Sequence, residues 1–147
     1  VPADAELAVQ PDNQALLDAA VAACPTYFPG EGCSKPDSYI NAFFERFWVD
    51  SYQEWQEIDL LQYEDEEAYT AALDEFYAGR ADDFVSDYAA TAPAEDIAES
   101  FATFVLKPAP SGDTVADQKV AFFYDYPELV KLRAEISGRL VSRLRRN

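Results

Sequence analysis

No histidine and no methionine occur among the 147 residues. Without imidazole the chain lacks the commonest metal ligand and the only unperturbed side chain that changes charge near neutrality. A histidine-based metal site, or a Ser–His or Cys–His nucleophile pair, therefore cannot come from these residues alone. Cysteine is scarce: Cys24 and Cys33 are the only two. They lack CxxC spacing, and a zinc site would need two more ligands. No apolar run approaches the roughly 20 residues of a membrane span. Positive charge is also short, with 11 basic residues against 28 acidic ones and a net charge of −17. Such a surface repels phosphate backbones, which argues against nucleic acid as a partner. The chain opens on Val1. The expectation is an N-terminus made by cleavage or by a chosen boundary, with any targeting segment upstream or already removed.

The little positive charge there is lies at one end. Lys131, Arg133, Arg139, Arg143, Arg145 and Arg146 face a single acid, Glu135, so residues 131–147 carry +5 and residues 1–130 carry −22. The simpler reading is a helix whose C-terminal cations complement its dipole and offset an acidic body. The other is attraction to an anionic surface.

What the sequence has is apolar and aromatic residues, 49% and 14% of the chain, enough to bury a core within one domain. Residues 1–11 read as an arm and residues 12–147 as one helical lobe. Asp12 or Asn13 can cap a helix carrying Leu16, Leu17, Ala20, Val21 and Ala23, which ends at Cys24–Pro25. Two prolines and two glycines mark residues 25–32 as a loop between the cysteines. A Cys24–Cys33 disulfide stapling that loop fits an oxidising compartment, and two buried free thiols in a cytosolic protein are the alternative. Pro36 is placed as a first helical residue. It is followed by an aromatic-rich helix (Tyr39, Ile40, Phe43, Phe44, Phe47, Trp48) that continues or kinks near Asp50–Ser51. Acids at 64–67 open a helix that Gly79 ends. Pro93 opens a helix to about Leu106. Residues 107–112 are a loop by composition, and two helices follow, from about Asp113 to Tyr124 and from Pro127 onward. No strand pattern is present, and the predicted class is all-α.

The helix after Pro93 carries the candidate chemistry. Ile97, Phe101, Phe104 and Val105 read as its apolar face. Glu95 and Glu99, four apart, stack on one side, with Ala98 and Ala102 small enough to admit a neighbouring element. Like charges at that spacing cost about 0.2–0.5 kcal/mol, which a metal or cationic partner would reverse. By helix physics alone, acids in a first turn are explained by the dipole.

The stretch from Asp87 to Phe101, with Tyr88 seven residues before Glu95, then Ala98 and Glu99, resembles the third-ligand segment of zinc peptidases of the anthrax lethal factor and Pro-Pro endopeptidase type. It is also similar to that segment of a broader group of bacterial putative zinc-binding metallopeptidases. The resemblance covers about 15 residues, and it implies the C-terminal helical lobe of a zincin-type peptidase from the bacterial cell envelope or secreted from it. It further implies Glu95 as the third zinc ligand and Glu99 as acceptor of a hydrogen bond from a ligand imidazole. Tyr88 would be a catalytic hydroxyl that stabilises the oxyanion or protonates the leaving amine. The family's His-Glu-x-x-His helix, which supplies two ligands and the general base, is missing here. The expected partners are thus an N-terminal portion bearing that helix and a peptide or protein substrate. Zn2+ is implied for the parent, and none is expected on this chain alone. The alternative is a catalytically dead helical module that binds protein through an acidic, aromatic surface.

Overall fold

The computed structural model describes residues 11–29 and 32–146. Among these residues there is no strand, and the elements are all helical, so the chain is all-α. The predicted arm lies outside the described residues except for Pro11, which is the first residue of α1 (Pro11–Ala23). Asp12 and Asn13 therefore fall inside the first turn of α1 instead of preceding it. Contacts cluster in two units, 1–44 and 45–147.

In the first unit every side chain from 15 to 23 is exposed, including Leu16, Leu17 and Val21. After α1, Cys24 and Cys33 form a disulfide. The loop end is fastened by Ser34 N–H donating to Tyr27 O at 2.8 Å and Thr26 Oγ1 donating to Ser34 O at 2.5 Å. Buried Asn41 ties the two sides together: its Oδ1 accepts from Tyr27 N and its Nδ2 donates to Pro36 O. Tyr27 stacks on Phe44 with centroids 4.4 Å apart. The helix here, α2, spans Tyr39–Phe47, so Pro36 does not begin it. Pro36 sits in a turn, and Ser38 is the capping residue, its Oγ accepting from Asn41 N. Serine offers the side-chain acceptor that Ncap requires.

In the second unit α3 (Tyr52–Leu60) follows a turn at 48–51, so the aromatic helix breaks there instead of continuing. A 3-10 turn (Leu61–Tyr63) leads to α4 (Glu66–Ala78). Asp65 caps α4 by accepting from Ala68 N, with Glu66 and Glu67 in the first turn where the helix dipole favours acids. Gly79 ends it. Two further 3-10 turns, Ala81–Asp83 and Tyr88–Thr91, lead into α5 (Pro93–Leu106), with Pro93 in its first turn. Thr114 caps α6 (Val115–Phe122), and a 3-10 turn (Phe123–Asp125) joins it to α7 (Pro127–Arg146).

Aromatic rings fill the core of this unit. Trp48, Phe76, Phe104, Phe122 and Phe123 are at most 4% exposed, and each such apolar side chain contributes about 1.5–3 kcal/mol on burial. Trp48 meets Trp55, Phe76 and Phe84, with ring centroids 5.9–6.3 Å apart. Phe104 meets Phe101, Phe123 and Tyr124. The first cluster reaches the first turn of α5 through Trp48, whose Nε1 donates to Asp96, and the second is built on Phe101 and Phe104 of its later turns.

Candidate functional site

Tyr88 is held by its backbone. Asp87 Oδ1 accepts from Tyr88 N at 2.8 Å, Thr91 Oγ1 donates to Tyr88 O at 2.6 Å, and Ala89 N donates to Ser86 Oγ. Ala89 and Ala90 are fully buried, which seats the short turn directly against α5, while the Tyr88 ring stays 52% exposed. The turn thereby carries the phenol to the outer side of the first two turns of α5. Its hydroxyl lies near the Glu95 carboxylate, and the two interact. That interaction, then the charge of Glu95, then slight desolvation and the charge of Glu99, hold it above the ordinary tyrosine pKa of 10.0. Negative charge beside a phenol disfavours the phenolate, so the group stays a proton donor throughout the neutral range. Glu95 and Glu99 are both half-buried and Ala98 between them is exposed. The fold thus brings Tyr88, Glu95 and Glu99 together on one open face. The neighbouring groove is lined by Leu73, Asp74, Tyr77, Asp87, Tyr88 and Thr91.

On the inner side of the same helix lies a cluster that the sequence did not announce. Asp96 is fully buried and Lys119 is 2% exposed. Lys119 Nζ pairs with Asp96 Oδ2 at 2.7 Å and donates to Asp83 O at 2.7 Å. It also stands 4.0 Å from the centre of the Phe84 ring. Trp48 Nε1 donates to Asp96 Oδ2 at 2.9 Å, and Ser100 lies one turn along the helix, at 3.5 Å from Oδ1. Loss of hydration pushes the Asp96 carboxyl above its ordinary value of 3.8, against the pull of Lys119, Trp48 and Ser100. Loss of hydration likewise pushes Lys119 below 10.5, against the pull of Asp96. In both groups desolvation outweighs pairing, the common balance for a buried ion pair. The inner face is accordingly Pro93, Asp96, Ser100, Phe104 and Val105. The predicted face needs correcting at Ile97 and Phe101, which are only half-buried. An acid near a helix start is already explained by the dipole, so nothing local marked Asp96. Its counter-charge and its indole donor lie 23 and 48 residues away.

Among the described residues no group of three or more His, Cys, Asp or Glu side chains could hold a metal ion. Glu95 and Glu99 offer two carboxylates one turn apart, which do not make a zinc site without further donors. Cys24 and Cys33 belong to the other unit and are spent on each other. Among the described residues no helix is long and apolar enough to cross a membrane. No family model matches the chain, and neither a curated protein nor a solved structure is significantly similar to it.

Proposed function

We propose that the chain is the helical C-terminal part of a secreted zinc-dependent peptidase, inactive alone, in which Glu95 is the third metal ligand. One observation supports this reading. The tyrosine and the two glutamates that resemble the third-ligand segment share an open face, with the Glu95 and Glu99 carboxylates near enough to hold the Tyr88 pKa above its ordinary value. Two histidines and a general base would come from a helix outside the chain. With it in place, Glu99 would accept a hydrogen bond from an imidazole and Tyr88 would present its proton to a substrate oxygen or leaving nitrogen. The metal's own contribution is to polarise the scissile carbonyl and activate water. The test uses the parent protein. Glu95→Ala is expected to lose one equivalent of zinc, measured by elemental analysis. Tyr88→Phe is expected to retain zinc while kcat falls roughly 10²–10³-fold, the scale of one lost oxyanion donor. A parent without His-Glu-x-x-His upstream, or one that keeps zinc in Glu95→Ala, overturns the assignment.

The second reading is a catalytically dead module that binds protein. It is favoured by the acidic, aromatic groove beside Tyr88, where Asp74 and Asp87 flank Tyr77 and Tyr88. Tyrosines framed by acids suit a basic segment. This reading predicts that Tyr77→Ala and Tyr88→Ala weaken binding of a basic partner while Glu95→Gln leaves the parent's metal content unchanged.

A further inference from the structure

The helix α7 changes character halfway along. Its first part is seated: Leu129 is buried, and Arg133 donates from Nε to Phe104 O at 2.7 Å and from Nη2 to Lys107 O at 3.1 Å. The Arg133 guanidinium also covers the rings of Phe104 and Tyr124. Leu129, Arg133, Ile136, Leu140 and Leu144 recur at helical spacing and form one stripe. The stripe outlasts its seat. Every side chain from 138 to 146 is exposed, including Leu140 (43%), Val141 (48%) and Leu144 (76%). Arg139, Arg143 and Arg146 run down one flank of the stripe, and Val141 and Arg145 down the other. No ion pair joins these four arginines to any described residue. They therefore do not neutralise the described acids of the body by contact.

We propose that the distal half of α7, from Ile136 to Arg146, is a docking surface for an anionic lipid bilayer. Leucines 140 and 144 would enter the boundary between headgroups and acyl chains, and the flanking arginines would reach back to the phosphates. Charge complementarity selects an anionic partner, since residues 131–147 carry +5 with Glu135 as the one acid. The body, at −22, repels the same surface. From Arg133 to Arg146, however, the helix extends about 20 Å, more than two screening lengths at physiological salt. A helix with cations along its polar edges and aliphatic residues between them is the arrangement that lies in a lipid interface. A protein partner fits less well. The exposed stripe has no aromatic anchor of the kind that dominates protein interfaces. The concavity along it is lined by residues of α7 alone, from Glu135 to Arg146, so no opposing wall shapes a groove. A second copy is disfavoured because two bodies of net charge −17 repel, and three aliphatic side chains are far fewer than the roughly 20–30 residues a side of a specific interface.

Cosedimentation of the full chain with vesicles tests this. One set is made of equal parts phosphatidylglycerol and phosphatidylcholine, the other of phosphatidylcholine only. The wild-type chain is expected to bind the anionic vesicles, to release as salt is raised, and to bind neutral vesicles at least about tenfold less well. The Arg139→Gln/Arg143→Gln/Arg146→Gln variant is expected to lose on the order of 100-fold, about fivefold for each cation near the leaflet. Leu140→Ser/Leu144→Ser should lose binding to both kinds of vesicle. These side chains are exposed, so a far-UV spectrum unchanged from wild type is expected for both variants. Absence of wild-type binding to the anionic vesicles overturns the proposal, as does equal binding by all three proteins. A wild-type dimer in sedimentation that Leu140→Ser/Leu144→Ser dissociates overturns it in favour of self-association.

Discussion

Glu95 and Asp96 are neighbours on α5, chemically almost the same, and the fold sends them to opposite environments. Glu95 turns outward to an exposed phenol, where water screens both groups. Asp96 turns inward with no exposed surface, to a lysine, an indole and a serine. The outer cluster can be rearranged, protonated or coordinated at little cost to the fold. The inner one cannot, because removing either member of the Asp96–Lys119 pair leaves a charge in the core with no counter-charge. A carboxylate's role on this helix is set by which side of the axis it occupies, and one residue is enough to switch sides.

The sharpest way to separate the two faces is Lys119→Met. It strands the Asp96 carboxylate and should cost about 3–5 kcal/mol, the scale for breaking a buried pair from one side, read from urea unfolding midpoints. Adding Asp96→Asn should recover much of that loss. The amide removes the unpaired charge and still offers Trp48 Nε1 an acceptor. A double variant no more stable than Lys119→Met would show that the ion pair is not what the core requires.

A smaller effect follows from pH. The folded-state pKa of Asp96 is raised, so folding favours its protonated form. That contribution is complete below the unfolded value of 3.8 and is lost as pH rises through the higher folded value. The wild-type chain should therefore gain on Asp96→Asn as pH falls, when unfolding midpoints are compared at neutral pH and below 3.8. An ordinary exposed salt bridge gives the opposite trend.

The smallest effects belong to the outer face. Glu95→Gln should alter stability by no more than about 0.5 kcal/mol, yet bring the Tyr88 titration back toward 10.0 in ultraviolet absorbance. Glu99→Gln should move it less, since Glu99 ranks behind Glu95 among the causes of the shift. A Tyr88 titration indifferent to Glu95→Gln would dissolve the outer cluster.

The sequence makes the helices legible where local chemistry sets them. Pro93 opens α5, acids crowd the first turn of α4, and residues 107–112 break the chain between α5 and α6. The start of α2 was misplaced because Pro36 satisfies a local preference that the capping at Ser38 overrides. In the outer cluster the shared side of Glu95 and Glu99 is legible from their helical spacing, whereas Tyr88, in the turn before the helix, is singled out only by the resemblance to the third-ligand segment. The inner cluster was not legible. Lys119 on α6 reads as an ordinary polar residue, and only the packing of Phe84 and Trp48 over it makes it a buried cation. No local pattern encodes a pairing made by three elements meeting.

Both tryptophans of the chain sit at one joint. Trp48 and Trp55 meet edge to face with centroids 6.0 Å apart. One indole N–H donates to Asp96 at the start of α5, the other to Thr91 O just before it. The intrinsic fluorescence of the protein therefore originates almost wholly at the entrance to α5, from two emitters close enough to exchange excitation. An emission change is a local optical signal from the seam between the Tyr88 turn and the Asp96 core. The same signal is blind to the far end of α7, where fraying or docking would pass unseen unless a fluorophore were placed there.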